Sequence, residues 1–284
     1  MLSKFDYFKP KSIEEALEYL EKNDGTKILA GGTDLMILLR RNAVICNHIL
    51  DIKGIPETKN IDYTQEEGLF IGASVNINQI AKSDIIREKY TSLSQAASSV
   101  ASYQLRNRAT LVGNICNASP GGDLAAPLLI FNSRVHITGP NGKRIVDIKD
   151  FFTGVKRTVL EKNEIVLGVQ IPYIEKEEVS VYLKQSRLKG HDLATVGVAA
   201  RLNNNKEVLL AIAAVAPTPI RLTKLEEIIN SKELSSDLAI WASEELANHI
   251  SPISDVRSSK EYRIHISSIL LKKALLMLVE KGVN

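Results

Sequence analysis

Lys27-Ile28-Leu29-Ala30-Gly31-Gly32-Thr33-Asp34-Leu35 runs from an apolar, strand-like segment into two glycines and on into a helical pattern that reaches Arg41. The spacing predicts a short strand over Lys27–Ala30, a tight turn over Gly31–Thr33 and a helix over Asp34–Arg41. Upstream, Ser12-Ile13-Glu14-Glu15 fits a capping box. Ile13, Ala16, Leu17 and Leu20 then recur on one helical face until Asn23-Asp24-Gly25 stops the helix. Downstream, His48–Ile52 reads as a further strand, which gives a small β-α-β unit over roughly the first 55 residues. Free backbone N–H groups at a helix start accept anions, and glycines let an anion approach the main chain. The same turn also serves as a plain connection between strand and helix, so this segment alone leaves both readings open.

A second region begins near Ile55. It predicts a strand at Leu69–Ala73, helices around Ile77–Lys89 and Ser92–Ser102, and a long polar loop from Tyr103 to Gly122. Asp123 is placed to cap a helix through Phe131. Arg134–Thr138 and Arg144–Ile148 flank the turn signal Gly139-Pro140-Asn141-Gly142, and Glu164–Ile171 is another strand, ended by Pro172. Within the polar loop, Thr110-Leu111-Val112-Gly113-Asn114-Ile115-Cys116-Asn117-Ala118-Ser119-Pro120-Gly121-Gly122-Asp123 is rich in small and polar groups. Such a loop is either disordered or wrapped on a ligand, and its density of donors beside one carboxylate favours a ligand. After a solvated connector, Glu175-Lys176-Glu177-Glu178, come three β-like stretches: Ser180–Gln185, Ala194–Asn203 and Glu207–Val215. Pro217 and Pro219 break the pattern, and the remainder is helical. In the last helix, about Lys260–Glu280, Leu270, Leu271, Ala274, Leu275 and Leu278 form a core-facing stripe.

Composition bounds the function. The chain has 284 residues, 44% hydrophobic and 24% charged, as expected for a globular protein with a large core. Its formal net charge is only +3 and its basic residues are dispersed, so a nucleic-acid surface has no support. The longest apolar runs, such as Val208–Ala216, fall far short of the ~20 residues of a membrane span. The opening MLSKFDYFKPKS has no apolar core of a secretory signal, so a cytoplasmic location is expected. The two cysteines, Cys46 and Cys116, are distant in sequence, whereas an iron–sulfur cluster takes about four. No zinc-ligand spacing relates the five histidines. G-x-G-x-x-G and the P-loop are both absent, which removes the Rossmann and nucleoside-triphosphatase readings.

Taken together, Ile28–Leu35 and Thr110–Asp123 resemble the FAD-binding subunit of the molybdenum hydroxylases, most of all the xanthine dehydrogenase type and its relative, the carbon monoxide dehydrogenase medium chain. Gln104-Leu105-Arg106-Asn107-Arg108 followed by Thr110-Leu111-Val112-Gly113-Asn114 resembles the family pattern Q-I-R-N-x-x-T-x-G-G-N. Glu164-Ile165-Val166-Leu167, Ile171-Pro172-Tyr173 and Lys184-Gln185 match the strand pair that borders the flavin. Ala214-Val215-Ala216-Pro217-Thr218-Pro219-Ile220-Arg221 and Ser259-Lys260-Glu261-Tyr262-Arg263 resemble the C-terminal domain of the same subunits. The likeness spans essentially the whole chain in the family's motif order.

The resemblance implies an α+β fold: a two-lobed FAD-binding domain over residues 1–175, with lobes of about 1–55 and 56–175, then a C-terminal three-stranded sheet with helices over 176–284. It implies non-covalent FAD held by Ile28, Leu29, Ala30, Gly31, Gly32, Thr33, Asp34 and Leu35 and by Thr110, Leu111, Val112, Gly113 and Asn114. Asp123, Val166, Lys184 and Leu193 match positions around the flavin and adenine. For each there is a plainer reading: Asp123 as a helix cap, Val166 and Leu193 as core residues, Lys184 as a solvated lysine. Arg106 and Arg108 could meet phosphates, a partner or solvent. His191 is not placed as a proton donor, and no catalytic or metal-binding residue is expected. Val100 replaces an aromatic found in some members, and Val112 replaces the first glycine of T-x-G-G-N, where a valine would resist a left-handed backbone.

The implied role is a flavin station that takes electrons from two 2Fe–2S clusters and passes them to NAD as co-substrate. The clusters and the molybdopterin would lie on an iron–sulfur small subunit and a molybdenum-binding large subunit, in a dimer of heterotrimers. Xanthine or another purine is the expected substrate, with nicotinate, an aldehyde and carbon monoxide as alternatives. A stand-alone flavin oxidase and a non-enzymatic binding module are the competing classes.

Overall fold

Three sheets organise the chain in a computed structural model that describes residues 4–176, 178–188 and 192–282. Residues 1–3 of the opening segment, Glu177 of the connector and His191 lie outside the described residues. The first sheet has three parallel strands in the order Asp6–Phe8, His48–Asp51, Lys27–Leu29. Its middle strand is buried by both neighbours and by the helix Ile13–Lys22, whose Ile13, Ala16 and Leu20 form the inward stripe. Ser12 Oγ caps that helix by accepting from Glu15 N at 3.2 Å. The Glu15 carboxylate accepts from the N–H of Lys11 at 2.8 Å, one residue before the donor a capping box uses.

The second sheet is antiparallel, in the order Ile61–Thr64, Gly68–Gly72, Ile165–Ile171, Arg134–Gly139, Gly142–Asp147. The third runs Val179–Gln185, Val196–Leu202, Val208–Ala213, Ile220–Arg221, also antiparallel. The two-residue strand Ile220–Arg221 adds a fourth member to the three expected there. Both faces of this sheet are covered. Val198, Ala200, Leu210 and Ile212 pack with Leu271, Ala274, Leu275 and Leu278 of the helix Lys260–Gly282. The opposite face offers Tyr182, Ala199, Ala211 and Ala213 to the large core shared with the first two sheets. A strand buried on two faces reads as a continuous apolar run, and the alanines let the helices Thr91–Ser99 and Ala125–Ile130 come close. The carbonyl ends of Ala125–Ile130 meet arginines from that sheet. Arg201 Nη1 donates to Ile130 O at 3.0 Å and Arg221 Nη1 to Leu129 O at 3.3 Å, which satisfies orphan helix carbonyls.

Several local expectations are corrected. The stretch from Tyr103 to Gly122 is not a continuous loop: it contains the helices Tyr103–Arg106 and Leu111–Cys116. Ser102 and Thr110 start them, accepting from Leu105 N at 3.2 Å and Gly113 N at 2.9 Å. Asp123 caps no helix, because Leu124 holds the cap position of Ala125–Ile130 and makes no side-chain cap bond. The short strands Asp6–Phe8 and Ile61–Thr64 have no counterpart in the sequence reading. Among the described residues no helix is long and apolar enough to cross a membrane.

Candidate functional site: a cavity between two lobes

The turn after Lys27–Leu29 is shaped by what lies against it. A Cβ on Gly31 would stand 2.2 Å from the Arg108 carbonyl oxygen, so only glycine lets the backbone at Arg108 and Ala109 pass here. Gly32 has φ +76°, a left-handed conformation that favours glycine. Lys53 fixes the turn from behind: its Nζ donates to Ala30 O at 2.7 Å and pairs with Asp51 at 2.7 Å. Tyr7 donates to the same carboxylate at 2.5 Å. Burial alone would raise the Asp51 carboxyl, but the bonds from Lys53 and Tyr7 outweigh it and hold the group below its ordinary value. Tyr7 is pushed up to about 12, chiefly by donating to that carboxylate.

Facing this turn is the Leu111–Cys116 helix, brought to the lobe junction by the bond from Ile77 N to Ala109 O at 2.9 Å. Val112 belongs to that helix, is not among the residues with positive φ, and is 4% exposed. The expected backbone conflict of valine at this position therefore does not arise. Asn114 Oδ1 is buried and finds no protein donor among the described residues.

Between the two segments lies a cavity of about 580 Å³, within the roughly 300–1,000 Å³ of a cofactor pocket. Of the expected residues, Ile28, Ala30, Gly31, Gly32, Thr33, Asp34 and Leu35 line it on the glycine-turn side, and Thr110, Val112, Gly113, Asn114, Asp123, Val166 and Leu193 line it elsewhere, as does Val100. Leu29, Leu111 and Lys184 do not line it. Leu29 packs with Leu39, Cys46 and Ile49, Leu111 is in the core, and Lys184 stands behind Asp123. The sequence reading missed Ile37 and Leu38, which line the cavity although 47% and 38% exposed, and also Lys156; Asn117 and Glu164, which lay in the quoted segments without an individual role, line it too. Leu193, 51% exposed, and Ile28, 37% exposed, complete an apolar rim that a single-sequence pattern reads as ordinary strand or helix positions.

Two ion pairs set the electrostatics of the wall. Lys184 Nζ lies 3.0 and 3.1 Å from the two Asp123 oxygens, and Tyr182 donates to Oδ1 at 2.9 Å. Burial raises the Asp123 carboxyl, with the Lys184 charge and both hydrogen bonds opposing. Burial likewise lifts the Tyr182 hydroxyl, reinforced by the Asp123 charge. Lys184 also donates to Ser99 O at 3.2 Å and Asp192 O at 3.0 Å, so one ammonium ties together three chain segments at the cavity. Glu164 is gripped by Arg144 through two bonds of 2.7 Å, which lower its carboxyl. Arg106 is committed to structure, donating to Asn78 Oδ1 at 3.0 Å and Val100 O at 2.8 Å, while Arg108 is exposed. The Cys116 thiol, on the cavity wall, is pushed up to about 12 by burial. Among the described residues no cluster of His, Cys, Asp and Glu could hold a metal ion.

A β-α-β lobe and an antiparallel-sheet lobe on either side of a glycine-edged cavity define a nucleotide-cofactor-binding protein of the two-lobed flavoprotein class. Residues 3–174 match the family described as the FAD binding domain in molybdopterin dehydrogenase, and residues 181–278 the CO dehydrogenase flavoprotein C-terminal domain. The xanthine dehydrogenase FAD-binding subunit of Escherichia coli O157:H7 is 35% identical over 274 residues, 95% of this chain and 94% of that protein. The glyceraldehyde dehydrogenase medium chain of Sulfolobus acidocaldarius is 32% identical, over 95% of this chain and 96% of that protein. A solved carbon monoxide dehydrogenase from Hydrogenophaga pseudoflava superposes with a TM-score of 0.93 at 29% identity, covering 99% of both chains. The chain belongs to the FAD-binding medium subunits of the xanthine dehydrogenase and CO dehydrogenase family, and is the FAD subunit of a molybdenum hydroxylase.

Proposed function

We propose that this chain is the flavin station of a three-subunit hydroxylase, with FAD held non-covalently in the lobe-junction cavity. The observation that carries this reading is the cavity wall itself. It has two glycines where the main chain must stay bare, and a buried Asn114 Oδ1 that awaits a donor. Gly31–Asp34 and Thr110–Asn114 would hold the diphosphate and ribityl chain. Asp123, Val166 and Leu193 would border the ring system, with Lys184 acting on it through Asp123. Bound there, FAD would supply reversible redox chemistry between the 2Fe–2S clusters of a partner subunit and NAD. The protein's share is to bind, orient and partly desolvate the cofactor.

In this reading the molybdopterin sits on a large subunit and the clusters on a small one, in a dimer of heterotrimers in the cytoplasm. The division at residues 175 and 176 separates the FAD-binding part from the C-terminal part. Xanthine or a related purine is the proposed substrate, supported by the identity to a xanthine dehydrogenase subunit. The similarly covered glyceraldehyde and carbon monoxide dehydrogenase chains make an aldehyde or carbon monoxide the alternatives. The experiment compares the lone chain with the chain reconstituted with its large and small subunits. The lone chain should be free of iron and molybdenum, oxidise NADH with an artificial acceptor, and hydroxylate nothing. Substrate hydroxylation should require all three subunits. Hydroxylation by the metal-free chain alone would overturn the proposal and favour a stand-alone oxidase.

A further inference from the structure

We infer that Lys156 is the cation that neutralises the cofactor diphosphate at the glycine turn. The inference rests on FAD occupying the lobe-junction cavity, and goes beyond it by assigning a role to a residue outside every motif segment. Four carboxylates line that cavity: Asp34, Asp123, Glu164 and Asp192. Three are matched by a basic partner, Asp123 by Lys184, Glu164 by Arg144 and Asp192 by Arg187. Asp34, within the turn itself, accepts from the neutral Asn117 amide at 3.0 Å. A diphosphate placed beside it adds two like charges to an already anionic wall. Among the described lining residues Lys156 is the single lysine or arginine.

Its position is built rather than incidental. Lys156 sits in the turn between the strands Phe152–Gly154 and Arg157–Thr158 with φ +59°, a left-handed conformation that costs a lysine about 1–2 kcal/mol. Its N–H is anchored on Ala118 O at 2.9 Å, and its ammonium donates to the neutral Asn117 Oδ1 at 2.8 Å. Lys156, Asn117 and Asp34 thus form a chain of bonds from the second lobe to the glycine turn of the first. Burial lowers the Lys156 pKa, against the pull of Asp34. An ammonium in that condition gains from a nearby phosphate what a neutral amide does not supply.

The test is a titration of the flavin-free full-length chain with FAD, at low and high salt, for the wild type, Lys156→Gln and Lys156→Arg. Thermal unfolding of the same flavin-free proteins runs alongside. Lys156→Gln should weaken FAD binding by about ten- to a hundredfold and flatten its salt dependence, with the flavin-free melting temperature unchanged. Lys156→Arg, which keeps the charge, should stay within a few-fold of wild type. Wild-type affinity in Lys156→Gln overturns the inference, as does Lys156→Arg weakening as much as Lys156→Gln. A wild-type chain that takes up no FAD under any condition refutes instead the placement of FAD on which the inference rests.

Discussion

The two walls of the cavity are made of different material. On the glycine-turn side the working parts are main-chain groups, shaped by Gly31 and Gly32 and held from behind by Lys53 on Ala30 O. On the C-terminal side they are side chains: the buried Asp123 on the wall, backed by Tyr182 and Lys184, which come from a segment about sixty residues away and are joined to it only by the fold. A backbone wall keeps its stability on loss of one charge but is intolerant of added atoms. A side-chain wall is the reverse, since removing one member strands a buried charge.

The largest effect should come from breaking the side-chain wall. Lys184→Met leaves Asp123 buried without its cation and should cost about 3–5 kcal/mol of stability in denaturant unfolding of the flavin-free chain. A loss under about 1 kcal/mol, the value of an exposed pair, would show that the two walls do not differ in the way described. The backbone wall should respond to bulk. In Gly31→Val the new side chain collides with the Arg108 carbonyl, and overpacking of this kind costs about 1–3 kcal/mol. Because the turn must shift, FAD affinity should fall about tenfold or more; unchanged affinity in a FAD titration would remove the turn from the binding surface.

The smallest effect sharpens the comparison through pH. Arg144 holds the Glu164 carboxyl below its ordinary 4.5, although burial opposes it. Ionised Glu164 therefore stabilises the fold above about pH 4.5, and that stabilisation is lost as the pH falls through the lowered folded-state value. Glu164→Gln should be less stable than wild type near neutrality, with the gap closing as the pH drops below that point. A gap that stays constant into acid would mean that the Arg144 pair contributes nothing through ionisation.

How much of this was legible follows the same division. Backbone geometry is written in neighbouring residues, so Ile28–Leu35 announced strand, turn and helix, and the strands and the final helix fell close to their expected bounds. The apolar run of the third sheet also carried its own signal, because burial on both faces leaves no polar alternation to find. The polar stretch before Asp123 misled for a physical reason. Thr110 within it and Ser102 just before it are helix caps, and two helices of four and six residues are too short to show a periodicity. Val112 looked out of place only because the stretch was read as a loop; inside a helix its backbone is not left-handed. Asp123 and Lys184 were each picked out by resemblance, but their pairing depends on tertiary structure that no local pattern encodes. Lys156, in a hairpin turn with no motif around it, left no signal at all.

The central claim is that this cavity carries FAD, and the flavin released from the purified chain tests it most directly. After denaturation without proteolysis, chromatography of the supernatant should show FAD as the flavin, with none left on the polypeptide. FMN, a covalently retained flavin, or a chain that remains colourless after incubation with FAD would contradict the account.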